Sequence, residues 1–409
     1  MLLIIIMRKK LLTLFICMFC TTLGATANDG SYYASGNLLF PLQENDISVS
    51  SEVLTISIGD DGYATIDVLY TFLNNGPAKT IDMAFESPLP YNAGDGFSPI
   101  GKHPFIRNFA ATLNGKTMSV RSAVVVGDEA DVNSYKTYNG KQWHVLSEDF
   151  DYGDHFITNG EDTVEVNAYA YVFKAHFTNG RNIVHHTYKY VISVGLSANF
   201  EIPYILQPCT RWANHQVDDF TLRIATPATA KHFYLEDDVL RQTPFTVVSG
   251  MGKVRPGTME SNNDEEKPAH YQEISLRDGM VECHIQNFKP ETSLNILSTD
   301  YLMHQLDVDA SRELGMYYNR GWMYMPMGSF DFNYAFGRDP ENDEEAETFY
   351  RRILRNLPYA DRGYIFKDPQ LHRCFEKQWW YMPDPNWKMS TKGFTKTDWH
   401  FINELSKGL

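Results

Sequence analysis

Period-two alternation between Asp46 and about Asp300 constrains this chain more than any other feature, because successive side chains on an extended strand point to opposite faces. Val53 to Ile58 and Tyr63 to Phe72 both alternate. The turn sequence Gly59-Asp60-Asp61-Gly62 separates them and Asn74-Asn75-Gly76-Pro77 follows, which predicts a β-hairpin. A second hairpin is predicted from Tyr169–Thr178 and Arg181–Val194 around Asn179-Gly180, a pair suited to positive φ. Further strands are expected at Phe220–Ala225, Phe245–Val248, Ile274–Leu276, Met280–Gln286 and Leu294–Leu297, with Asp278-Gly279 turning a last hairpin. Arg255 to His270 is polar, acidic and broken by Pro256, Gly257 and Pro268, and reads as a mobile surface loop. The fold class expected is mainly β: an antiparallel β-sandwich body of one or two sandwiches, spanning residues 28–305.

The texture changes after Leu306. Residues 306–340 form an aromatic and Met-rich connecting segment, and residues 341–409 read as a small α-helical C-terminal domain. Asp339-Pro340 and Asp368-Pro369 both have the form of an N-cap followed by a first-turn proline. Phe349, Ile353, Leu354 and Leu357 mark one helical face, and Leu371, Cys374, Phe375 and Trp379 a second. Thr395 and Asp398 resemble a capping pair ahead of Trp399, Ile402 and Leu405.

At the other end, Arg8, Lys9 and Lys10 precede an uncharged run from Leu11 to Leu23 and then Ala25-Thr26-Ala27. That order predicts a signal peptide over residues 1–27, and the run is too short to span a bilayer. No later segment is a transmembrane candidate, so a periplasmic or cell-surface location is expected. Cys209, Cys283 and Cys374 follow the leader; Cys209 with Cys283 is the expected disulfide and Cys374 a buried thiol. Charge divides unevenly. The whole chain carries −15, and without the leader's three basic residues −18. Residues 350–409 hold 11 Lys+Arg against 6 Asp+Glu, a net +5, which leaves −23 on residues 28–349.

Two resemblances follow from particular residues. Asn28-Asp29-Gly30, Gly36-Asn37-Leu38, Ile47 to Ile58 with Ser51-Glu52, Tyr70 to Asn74 and Phe85-Glu86-Ser87-Pro88-Leu89-Pro90 resemble the exported bacterial family called domain of unknown function 4424. Tyr204 to Trp212, Phe220 to Ile224 and Asn287-Phe288-Lys289-Pro290 extend it over most of residues 28–300. That family implies strand and turn signatures and no catalytic residue. The C-terminus resembles the YARHG domain through Tyr359-Ala360-Asp361-Arg362-Gly363, Tyr364 to Pro369, Phe375 and Trp380-Tyr381-Met382-Pro383. Asp361 and Arg362 stand where that family has Arg and His. The resemblance implies an extracellular module accompanying peptidases and wall-binding proteins, and so attachment to the cell wall.

Motifs for chemistry are sparse. There is no Gly-x-Ser-x-Gly and no His-Glu-x-x-His, and Gly250-Met251-Gly252-Lys253 is too short for a phosphate loop. The second hairpin would set His176 and His185 diagonally on one face beside Lys174, with His186 on the other; ordinary sheet histidines are the simpler reading. Glu148, Asp149, Asp151 and Asp154 surround Gly153, and the three aspartates are weak metal candidates in what reads as a solvated acidic loop. Four of the seven tryptophans, Trp379, Trp380, Trp387 and Trp399, fall in the tail, where a small core needs large side chains. Two adjacent tryptophans on one helix cannot both point inward. Arg362, Tyr364, Lys367, Arg373, Trp380, Tyr381, Trp387 and Lys388 are therefore the candidate ligand-binding residues. The expectation is a non-enzymatic envelope protein without a cofactor, contacting peptidoglycan or another anionic wall polymer, or envelope proteins, and not nucleic acid. A glycan or peptide hydrolase with its site between the sheets is the alternative, and docking of the basic tail on the acidic body is a competing use of the charge.

Overall fold

The computed structural model describes residues 39–41, 45–87, 106–125, 144–145, 156–165, 168–192, 201–259, 269–305, 322–326 and 344–387, except 159, 162, 166–167, 205, 229 and 299, and beyond these residues 394, 399, 402–403 and 405–406. The predicted leader, Asp149, Asp151, Asp154 and Lys388 lie outside the described residues.

The strands in chain order are β1 (Leu39–Pro41), β2 (Ile47–Ile58), β3 (Tyr63–Asn74), β4 (Lys79–Ser87), β5 (Ile106–Leu113), β6 (Lys116–Thr117) and β7 (Arg121–Val125). Next come β8 (His144–Val145), β9 (Phe156–Thr158), β10 (Thr163–Glu165), β11 (Ala168–Phe177), β12 (Gly180–Val191), β13 (Glu201–Tyr204) and β14 (Val217–Ala225). The last are β15 (Lys231–Glu236), β16 (Thr246–Met259), β17 (Ala269–Phe288), β18 (Leu294–Ser298), β19 (Asp300–Gln305) and β20 (Trp322–Pro326). Two helices follow, α1 (Glu344–Ala360) and α2 (Pro369–Glu376). A large sheet runs in the order β13-β18-β15-β17-β14-β2-β3-β12-β5-β6, with β16 on β17, and a smaller one in the order β1-β4-β11-β7. The two pack face to face through aromatic rings: Phe85 of β4 meets Tyr188 of β12 at 5.0 Å, and Phe177 of β11 meets Phe72 of β3 at 5.4 Å. The body is thus mainly β and sandwiched, with its core where the two inward faces meet. One pairing departs from the antiparallel expectation: β2 lies parallel to β14.

The first predicted hairpin forms, with Ile58 opposite Ala64. The second does not. β11 pairs with β4 and β7, whereas β12 pairs with β3 and β5, so the chain at Thr178-Asn179 crosses from one sheet to the other. Gly180 does adopt positive φ, at 84°. The local turn signal was correct, but both strands carry an apolar face that gains more by facing across the sandwich than by lying side by side. Buried Asn182 holds the crossing. Its Oδ1 accepts from the Thr178 amide at 3.0 Å and from Asn114 Nδ2 at 2.9 Å, and its Nδ2 donates to the carbonyls of Thr178 and Gly180 at 2.8 and 3.0 Å. Asn182→Ala should cost roughly 2–4 kcal/mol in urea unfolding, because several buried polar groups lose their partners together. A loss below about 1 kcal/mol would contradict this account of the crossing.

Two other local expectations are corrected. Asp278-Gly279 is no hairpin turn: β17 runs unbroken through it, and β16 shifts register between Val247 and Met251 alongside. Asp278 has φ 44° and Gly250 φ 70°, and a Cβ on Gly250 would strike the Asp278 backbone, so the glycines here serve a bulge. Arg255 to Met259, read as loop, instead extend β16 against Ala269–Glu273.

Candidate functional site

The YARHG-like stretch folds as a helix stop. Tyr364 N donates to Tyr359 O at 3.0 Å and Gly363 N to Ala360 O at 2.8 Å, with Gly363 at φ 83°. This is the paired-bond ending in which a left-handed glycine follows the helix, and it explains why glycine closes the motif. Asp368 caps α2, its Oδ1 accepting from the amides of Gln370 and Leu371, both at 3.0 Å. Those amides and the Arg352 guanidinium hold the Asp368 carboxyl below its usual range. The helix ends at Glu376, so Trp379 and Trp380 lie beyond it, and the expected helical pair is corrected.

The candidate residues separate into three groups. Trp380 and Tyr381 are buried. Arg362 is also buried, donating Nη1 to Pro358 O at 2.8 Å with its guanidinium over the Phe394 ring at 4.2 Å, so it braces the tail internally. Tyr364 and Trp387 are half-buried and meet edge to face at 5.1 Å. Lys367 and Arg373 are exposed, as is Lys377.

What buries Trp380 and Tyr381 is the body itself. Lys253 of β16 donates Nζ to the carbonyls of Trp379 and Tyr381 at 2.9 and 2.8 Å, and Ser275 of β17 donates to Trp380 O at 3.1 Å. His232 of β15 packs on the Trp380 ring at 5.1 Å, shares Nδ1 with Ser275 and lies 3.4 Å from Asp361. Arg255 stacks on Trp379 at 4.3 Å while paired with Glu273. Arg277 fits under Gly363, where a Cβ would run into its guanidinium. Docking of tail on body therefore occurs, but with the local signs reversed. Lys253 meets tail carbonyls and His232 meets Asp361, one of the two residues that depart from the family pattern.

A second polar cluster lies between the sheets. β2 slips register between Val49 and Ser51, which turns Glu52 inward in place of Ser51. Fully enclosed beside the hydroxyls of Tyr70 and Tyr204 and the Cys209 thiol, Glu52 has its carboxyl pushed up to about 8 by burial, with the Tyr70 hydroxyl offsetting part of the rise. His186, ringed by Phe85 at 5.3 Å, Tyr70 at 5.8 Å and Tyr188 at 6.0 Å, is pushed down to about 3, mainly by burial with His185 adding to it. Glu52 Oε1, both His186 nitrogens and the hydroxyls of Tyr188 and Tyr190 have no hydrogen-bond partner among the described residues.

The remaining expectations are corrected or placed as follows. His176 and His185 occupy different sheets, bonded to Thr80 and Asp67 respectively, so they do not share a face. Among the described residues no group of three His, Cys, Asp or Glu side chains is set to hold a metal. Cys209, Cys283 and Cys374 are all free and buried. Cys209 lies by Glu52 whereas Cys283 points to Thr243 O at 3.7 Å, so the expected disulfide does not form. Sequence reasoning missed Lys253 and Arg277. Gly250-Met251-Gly252-Lys253 is too short for a phosphate loop, but two glycines before a lysine in a strand mark a close approach of backbone.

Comparison with known proteins finds both expected families, the first over a shorter stretch than the resemblance across residues 28–300 implied. The domain of unknown function 4424 matches residues 27–140 and the YARHG domain residues 342–407. No curated protein matches the chain. Among solved structures, a proposed nutrient binding protein from Legionella pneumophila is 18% identical, covering 92% of this chain and 100% of its own, with a TM-score of 0.44. An M1 zinc metallopeptidase from Deinococcus radiodurans is 13% identical over 78% of this chain, with a TM-score of 0.25; the chain spans about half of that enzyme, 54%. Baculovirus P35 is 12% identical over 64% of this chain and 99% of its own, with a TM-score of 0.22. The chain thus matches the domain of unknown function 4424 at the start of its body and the YARHG domain at its C-terminal end.

Proposed function

We propose that this is an exported, non-enzymatic cell-envelope protein whose YARHG domain contacts an anionic wall polymer such as peptidoglycan. Supporting export are the basic cluster, short apolar run and small-residue site within residues 1–27. Among the described residues no helix is long and apolar enough to cross a membrane. One observation carries the wall contact: the tail docks through its carbonyls and Asp361, leaving Lys367, Arg373 and Lys377 exposed and the Tyr364–Trp387 pair half-open. Planar rings beside cations suit sugar faces that carry carboxylates. The alternative, a hydrolytic site between the sheets, draws less support, since that space is packed with rings and encloses Glu52 and His186 without an opening to either.

The test is co-sedimentation of the whole chain with purified peptidoglycan. Wild type should pellet at low salt and be released as salt rises, since exposed charges are screened over roughly 10 Å at 0.1 M. Reversing Lys367, Arg373 and Lys377 to Glu should weaken binding about tenfold or more. Pelleting that ignores both salt and the three reversals would sink the proposal.

A further inference from the structure

One row of side chains in the seam has more acceptors than a neutral imidazole can serve. Lys253 of β16, Ser275 of β17 and His232 of β15 are direct neighbours across three strands, and all three reach the tail. Lys253 and Ser275 donate to tail carbonyls, while His232 Nε2 faces Asp361 Oδ1 at 3.4 Å.

Counting protons along the row decides the state of the ring. The Trp380 carbonyl can only accept, so the Ser275 hydroxyl proton goes to it, at 3.1 Å. Ser275 Oγ then accepts from His232 Nδ1 at 2.9 Å, which places a proton on Nδ1. A neutral imidazole has just that one proton, so its Nε2 would turn a lone pair toward the Asp361 carboxylate. The doubly protonated ring donates at both ends. Water is a poor substitute partner, since His232 is 3% exposed and lies under the Trp380 ring at 5.1 Å.

Other charges around the ring pull in both directions. Lys253 from β16 and Arg277 from β17 oppose a further positive charge, but Lys253 is turned to its two carbonyls and Arg277 lies against Gly363. Arg277 also feels Asp361 and Asp384. Glu273 of β17 is paired with Arg255 of β16. Among the described residues, Asp361 is the carboxylate that meets the ring directly.

We infer that His232 and Asp361 form a proton-dependent clasp: the tail docks on the doubly protonated ring and loosens when that ring loses a proton. Docking takes up a proton at this point, so it is favoured at the acid end of the range of about pH 5 to 8 in which histidine changes charge, and weakened at the alkaline end. Lys253 and Ser275 keep their bonds to the tail throughout, so the tail loosens without leaving. The clasp works whether or not the tail contacts the wall.

Two measurements on the full chain test it. Nitrogen-15 spectra of the histidine rings, with His232 assigned through His232→Gln, should show protons on both of its nitrogens at pH 6. Hydrogen exchange at the amides of Trp379 to Tyr381, corrected for the intrinsic pH dependence of exchange, should show about fivefold less protection at pH 8 than at pH 6, the scale of one partly exposed ion pair. Asp361→Asn preserves the shape of a partly exposed side chain, and its amide can donate to a bare Nε2, so protection in that variant should be equal at both pH values. Glu52 and His186 are present in both chains, so comparing the two at each pH removes their share. A single ring proton on His232 at pH 6 with the amides still protected, or the same pH dependence in parent and Asp361→Asn, overturns the clasp, whatever the sedimentation result.

Discussion

Replacing Glu52 by Gln will remove a contribution that by itself lowers stability by about 5 kcal/mol between pH 4.5 and 8. In the folded state the enclosed carboxyl keeps its proton up to about pH 8, whereas in the unfolded chain it ionises near 4.5. Between those values the unfolded state releases a proton that the folded state retains, so stability is full at acid pH and falls as pH rises. His186 has the opposite slope. Its unfolded imidazole takes a proton below 6.5, but the folded one only near 3, so stability falls as pH drops through that interval. The two slopes cancel between 4.5 and 6.5, which leaves a plateau from this pair with losses of about 2 kcal/mol on either side. Burial also raises Glu201, Glu236 and Asp237, so each adds to the fall in stability as pH rises above its unfolded value. Comparing each variant with its parent at every pH cancels those contributions. Glu52→Gln should therefore lose the alkaline limb and His186→Phe the acid limb in urea unfolding curves. If Glu52→Gln and the parent keep a constant difference from pH 5 to 8, the carboxyl is not enclosed.

The next largest effect is expected at the seam. Gly363→Ala places a Cβ in a left-handed backbone position, which costs roughly 1–2 kcal/mol, and pushes it into the Arg277 guanidinium. Together these should destabilise by about 2–4 kcal/mol and loosen the tail, exposing the amides of Trp379 to Tyr381 to hydrogen exchange. Arg277→Ala on the same background removes the collision and should recover about half of the loss. Coupling between the two positions of at least 1 kcal/mol distinguishes contact across the seam from simple backbone strain within the tail. Purely additive effects would show that the two domains do not meet there.

Much of the fold was legible because strand alternation is a local property. β3 carries Ala64, Ile66, Val68, Tyr70 and Phe72 inward on every second residue, and its hairpin with β2 needs only a short turn. One helix start was legible too, since Asp368-Pro369 places an acceptor and a missing amide where a first turn needs them, while Asp339-Pro340 lies outside the described residues. The candidate site was only partly readable. The tail's aromatic and cationic residue types could be picked out, but Trp380 and Tyr381 were assigned to a ligand when they face the body. Nothing in the tail's own sequence encodes Lys253 or Ser275 more than a hundred residues away.

Period, caps and turn chemistry within a few residues were enough to determine that the chain is a β-rich body with a small helical, cationic end. Which sheet each strand entered, that β2 slipped one residue and enclosed a carboxyl, and which tail rings stayed in water were decided only by tertiary packing. Bonds between near neighbours favour a conformation whatever else is present. The partners of β11, Glu52 and Trp380 lie far along the chain, and the energy that selects them exists only once both faces are closed together.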